Sequence, residues 1–249
     1  MQYLVPPIKK RKQNKKGLLF KIIIIFLVLL FVLILLFGLF VRNKQNKEFE
    51  EQRFYFVCAN KSRNLKEIEE MQENIQKLGG AGKVYFYNAN YYLVINVYYD
   101  EESAKQVVEQ NKEIYPNSLI LEQKTKLLSK SVKQAIKNNT EIYEFLKYFN
   151  KLIYENYNLM FDYLNGNITE NELCSKLLTL KFDFDDVNDR LSKSSSSSLK
   201  ENVINYSNLL SLYYSSFFNS FFDSTKKGSI VCDFAVNLAL LKIDFFNNL

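Results

Sequence analysis

The chain has 249 residues, with 33 basic and 27 acidic side chains for a formal charge of +6, and it contains neither His nor Trp. The absence of His excludes a His-based catalytic triad, a His general base and any His-containing zinc site. Three cysteines, Cys58, Cys174 and Cys232, are far apart, form no CxxC pair and are odd in number, so neither a thiolate metal site nor a full disulfide framework has a motif to rest on.

In chain order, the first signal is a basic segment over residues 1–17 that runs into an apolar stretch, "LLFKIIIIFLVLLFVLILLFGLFV", ending at Val41. The uncharged run from Ile22 to Val41 has 20 residues. At helical rise that is about 30 Å, the thickness of a bilayer core, so a transmembrane helix is predicted over residues 18–41. Residues 1–41 hold seven basic and no acidic side chains, which leaves 26 basic against 27 acidic in the remainder. The basic balance is therefore a topology signal and not a nucleic-acid footprint. It predicts a single-pass protein of the cytoplasmic membrane, with the N-terminus inside and residues 42–249 outside, touching the bilayer and no nucleic acid.

A charged linker, "RNKQNKEFEEQ", covers residues 42–52. Beyond it the pattern alternates. "RFYFVCA" from Arg53 is β-prone, and Leu65, Ile68, Met71, Ile75 and Leu78 recur at helical spacing before Gly79 and Gly80. "KVYFYN" and "YYLVINVYY" flank Asn88, Ala89 and Asn90 as a hairpin. A second helix is expected from about Asp100 through Ala104, Val107, Val108 and Ile114, stopping before Pro116, and "SLILE" supplies a last strand. The order is βαββαβ over residues 53–123, a ferredoxin-like unit with both helices on one face of a four-stranded sheet.

"YYLVINVYYDEESAKQ" and "FVCANKS" give this unit a closer likeness. It resembles the sporulation-related repeat (SPOR) domain, a bacterial module that binds peptidoglycan glycan strands. In that pattern Asn96 stands at the family's glycine, Val97 at its proline, Tyr98 at its aromatic and Ala104 at its helix alanine, while Asn60 takes the glycine of the first half. Asn tolerates positive φ better than other non-glycine residues, so a bend at both sites is expected.

Strand alternation puts Tyr55, Val57, Ala59, Val84, Phe86, Leu93, Ile95 and Val97 against the two helices. Phe54, Phe56, Cys58, Tyr85, Tyr87, Tyr92, Val94 and Tyr98 are left on the other face, which the resemblance makes the glycan-binding face. Tyrosine suits a sugar, since its ring stacks on pyranose C–H groups and its hydroxyl hydrogen-bonds. The same face is apolar enough for the C-terminal region to cover it as a second core layer, and the residues leave both arrangements open.

Residues 124–249 read as an all-α bundle of about four helices. Ile142, Phe145, Leu146, Phe149, Ile153, Tyr157, Met160, Phe161 and Leu164 make a broad stripe at helical period. "TENE" from Thr169 and "SLKE" from Ser198 are capping boxes, "SKSSSSS" is a polar connection, and a last helix is expected from about Ser229 to Asn247. "DFDDVND" clusters Asp183, Asp185, Asp186 and Asp189, but it lacks the EF-hand glycine and terminal Glu and reads as a solvated helix start.

The predicted fold class is therefore α+β: a transmembrane helix, a SPOR-like domain and an all-α bundle. No catalytic residue, metal or cofactor is expected. Two functions fit. One is a non-catalytic envelope protein binding peptidoglycan glycan strands in division, sporulation or cell-wall growth. The other is a membrane-anchored interaction protein that uses a degenerate SPOR-like scaffold and binds an envelope or division protein through its bundle.

Overall fold

The computed structural model describes residues 49–193 and 198–249. Strand β1 (Arg53–Ser62) leads to α1 (Leu65–Lys77), β2 (Lys83–Tyr87), β3 (Asn90–Tyr98), α2 (Glu101–Asn111) and β4 (Leu119–Lys124). The strands form one antiparallel sheet in the order β2-β3-β1-β4. Local chemistry sets the ends. The Asn64 side chain accepts from Lys66 N–H, and Asp100 accepts from Ser103 N–H. Gly79, at φ +90°, closes α1 with paired bonds from Gly79 N–H to Gln76 O and Gly80 N–H to Ile75 O.

Five helices follow: α3 (Lys130–Lys137), α4 (Thr140–Leu164), α5 (Glu170–Lys193), α6 (Ser198–Asp223) and α7 (Lys227–Asn248). Helix α4 packs on α5, α5 on α6, α6 on α7 and α7 on α4, which makes a four-helix ring with α3 against α4. The capping box forms at α5: Glu172 accepts from Thr169 N–H and Oγ1, and Glu172 N–H donates back to Thr169 Oγ1. Inside the ring the Asn156 amide of α4 bonds the Tyr214 hydroxyl of α6 at 2.7 Å, a satisfied buried polar pair.

Helix α7 joins the two halves. It packs on β3 while also contacting α4 and α6, and it buries side chains around most of its circumference. One apolar core runs without a break from Phe54, Phe56 and Val94 on the sheet to Phe145, Phe149 and Phe245 in the bundle. Two smaller cores lie on the sheet's opposite face, under α1 and α2.

These observations correct the expected fold class. The described residues form a four-stranded antiparallel sheet plus seven helices and are mostly helical. Among them no helix is long and apolar enough to cross a membrane. Even α7, the most apolar in character, carries Asp233, Lys242 and Asp244. The expected basic segment and the span over 18–41 lie outside the described residues, and a single-pass placement with residues 42–249 outside the membrane is not supported. The last residues of the expected linker, from Phe49 on, pack onto the fold. Phe49 is buried beside Tyr143, while Gln52 exchanges bonds of 2.9 Å with Thr125 through Gln52 N–H to Thr125 Oγ1 and Thr125 N–H to Gln52 O.

Candidate functional site

Two irregularities in the β1–β3 pairing decide which side chains share a face. Pairing runs Tyr55 with Tyr98, Phe56 with Val97 and Val57 with Asn96, then skips Ile95 to match Cys58 with Val94, and next skips Ala59 to match Asn60 with Leu93. Each skip is a bulge, and an extra residue on one strand turns every side chain beyond it to the opposite face. Val97 accordingly joins the bundle-side core, and Tyr98 turns to Tyr55, Val57, Ala104 and Val108 on the α2 side. Uniform alternation assigns these two residues the other way round.

Asn60 and Asn96 sit at these bulges without positive φ. Among the described residues only Asn88 and Ala89 are non-glycine residues in that region. Instead the two amides bond nearby groups. Asn60 Oδ1 accepts from Lys61 N–H at 2.8 Å, and Asn96 Oδ1 accepts from Val97 N–H at 2.9 Å. The expected bend through left-handed asparagines is replaced by local side-chain bonding.

The expected glycan face is covered. Phe54, Phe56, Cys58 and Val94 are each 0% exposed, and Tyr92 is 5% exposed, all in the core shared with the bundle. Tyr98 is buried on the opposite side, its ring 6.0 Å from Phe161 and nearly perpendicular to it. An open face at these six positions is thus corrected: α7 and α4 supply the apolar partners that an exposed patch of this size would lack. Only Tyr85 and Tyr87 are half-buried, with rings stacked 6.1 Å apart at 9° on the edge strand β2. Phe86, expected in the core, is 58% exposed and leans on Tyr91.

Burial sets the chemistry of this region. It pushes the Cys58 and Cys232 thiols up to about 12 and raises the Tyr85 hydroxyl above its ordinary value. A thiol that stays protonated is a poor nucleophile and ligand. Cys174 is raised by burial as well, and all three cysteines are free. The acidic cluster lies in the second half of α5 and not at its start, where Lys181 pairs with Asp185, Arg190 with Asp186 and Lys193 with Asp189 at four-residue spacing. No group of metal-ligating side chains occurs among the described residues.

Exposed apolar side chains occur on the sheet module, Leu78, Phe86 and Ile114 among them, and also on the bundle. Leu178 and Phe182 follow each other at four-residue spacing on the outside of α5, with Phe182 67% exposed, and Leu212 of α6 is 63% exposed. An open groove of about 360 Å³ between α4 and α5 is lined by Glu155, Asn158, Leu159, Lys176, Thr179 and Leu180. Sequence reasoning passed over this surface. The signal was the doubled stripe of α5, where Leu173, Leu177 and Phe184 face inward and Leu178 and Phe182 form a second apolar row. No protein-family model, curated protein or solved structure matches the chain, so the SPOR likeness rests on the residue patterns of 53–123 alone.

Proposed function

We propose that this chain is a non-catalytic interaction protein in which the βαββαβ sheet is a platform for the helical bundle, and the bundle presents the surface that engages a protein partner. The observation that carries this reading is the covered sheet face: with Phe54, Phe56, Cys58 and Val94 buried under α7 and α4, the strand aromatics hold the bundle in place. The apolar row of Leu178 and Phe182 is left facing outward on α5. Aromatic anchors of this kind concentrate binding energy at protein interfaces.

A second reading, contact with peptidoglycan glycan strands, is favoured only by the stacked, half-buried rings of Tyr85 and Tyr87. One experiment separates the two. A photo-crosslinking residue at Phe182 of the full chain is expected to give a discrete protein adduct in cells, and the same probe at Lys112 to give none. Leu178→Ser in the probe-bearing chain is expected to abolish that adduct without lowering the unfolding midpoint. Absence of the adduct, together with co-sedimentation with sacculi that Tyr85→Ala and Tyr87→Ala abolish, would transfer the function to the glycan reading.

A further inference from the structure

A second concavity, of about 320 Å³, lies where the edge of the sheet meets the bundle. That volume is at the small end of the range of ligand sites. Four elements bring hydrogen-bonding side chains to it: Gln76 from α1, Lys83 from β2, Ser216 from α6, and Ser229, Asp233 and Asn237 from α7. The floor is aromatic, formed by Phe217 and Phe234 with ring centroids 4.7 Å apart. Gly82, at φ +60°, lets the chain pass close to Gln76, where a Cβ would meet Gln76 Cγ at 2.7 Å.

Charge and satisfaction define what fits. Lys83 Nζ stands 3.7 Å from Asp233 Oδ1, beyond a close hydrogen bond, so the lining has one charge of each sign and no net pull on an ion. Asp233 Oδ2 accepts from Asn237 Nδ2 at 2.8 Å. Ser229 is only 5% exposed and lines the cleft. A hydroxyl in the wall of a cleft can both donate to and accept from a bound hydroxyl.

We propose that this cleft binds a small uncharged polyhydroxy compound, of the size and chemistry of a monosaccharide or cyclitol. Each ligand hydroxyl both donates and accepts, which matches a lining that mixes ammonium, amide and hydroxyl donors with carboxylate and amide acceptors. The C–H face of such a ring matches the Phe217–Phe234 floor.

The test is calorimetric titration of the full chain with glucose, galactose, mannitol and myo-inositol, with glutamate and glycine betaine as charged comparators. At least one polyol is expected to bind saturably at a single site. Ser229→Ala and the near-isosteric Asp233→Asn should each weaken it about tenfold, the loss of one or two hydrogen bonds, while the unfolding midpoint of the free protein stays in place. Phe182→Ser, far from the cleft in the bundle's outer row, should leave the affinity unchanged. The proposal is overturned by the absence of saturable polyol binding up to about 10 mM, by polyol binding indifferent to both cleft variants, or by tighter binding of glutamate or betaine than of any polyol.

Discussion

At the scale of single residues, Lys242 is the side chain most at odds with its surroundings. It is 2% exposed, and at 3.6 residues per turn it lies roughly 160° around α7 from the exposed Asp244. Burial pushes its ammonium down from 10.5 to about 7. The folded-state value lies below the unfolded one. Between about pH 7 and 10.5 the unfolded chain therefore holds a proton that the folded chain does not, and stability rises with pH across that window by up to about 1.4 kcal/mol per unit. Below pH 7 both states are protonated, and the burial cost is present in full. Lys242→Met is expected to stabilise the protein by about 2–4 kcal/mol at pH 7 and to flatten the dependence between pH 7 and 9.5, as read from urea midpoints. Equal pH slopes in the two proteins would mean that the ammonium keeps its water. Nothing in the local pattern marks Lys242 as buried, because a lysine in an apolar helix ordinarily extends its stem and keeps its head in solvent.

Individual elements were legible where local chemistry determines them. The three- and four-residue spacing from Leu65 to Leu78, the glycines after it, the Asp100 cap and the Thr169–Glu172 box all rest on interactions within a few residues, and the helices start and stop there. The bulges at Ala59 and Ile95 were not legible, because each depends on how two strands distant in sequence match one another. That is why Tyr98 and Val97 exchanged faces. The β2–β3 hairpin lies between these cases. Its loop is Asn88-Ala89, with φ of 49° and 57°, and Tyr87 pairs with Asn90, which is the type I′ arrangement. Asn is at home at the first position; alanine at the second carries a Cβ against the following carbonyl, at about 1–2 kcal/mol. Ala89→Gly relieves that strain and gives back part of it as unfolded-chain entropy. The expected net gain is about 0.5–1 kcal/mol, seen as a higher urea midpoint with an unchanged slope. A lower midpoint would show that the turn keeps Ala89 without strain.

For the molecule as a whole, the sequence divides at residues 123 and 124 into a sheet module and a bundle, yet the described residues form one compact unit. The strands already held the reason. "RFYFVCA" and "YYLVINVYY" are apolar on both faces, as befits a sheet buried on both sides, whereas an antiparallel sheet with one wet face alternates. The glycan-face reading needed one face open; the composition of that face argued for a cover, and α7 supplies it. Removing the bundle tests this directly. A chain of residues 49–124 would expose Phe54, Phe56, Cys58, Val94 and Val97 together, five side chains that are each no more than 1% exposed in the whole protein. Burying one such aromatic is worth roughly 1.5–3 kcal/mol, so the loss of several exceeds the stability of most small domains. The fragment is expected to be expanded and to bind an apolar dye. It should regain cooperative unfolding only when residues 125–249 are supplied in trans. A fragment that instead folds as a monomer, unfolds cooperatively by itself and binds no dye would show that the sheet holds its structure without α7. The bundle would then be a removable cover, and the aromatic face beneath it would again be available to a ligand.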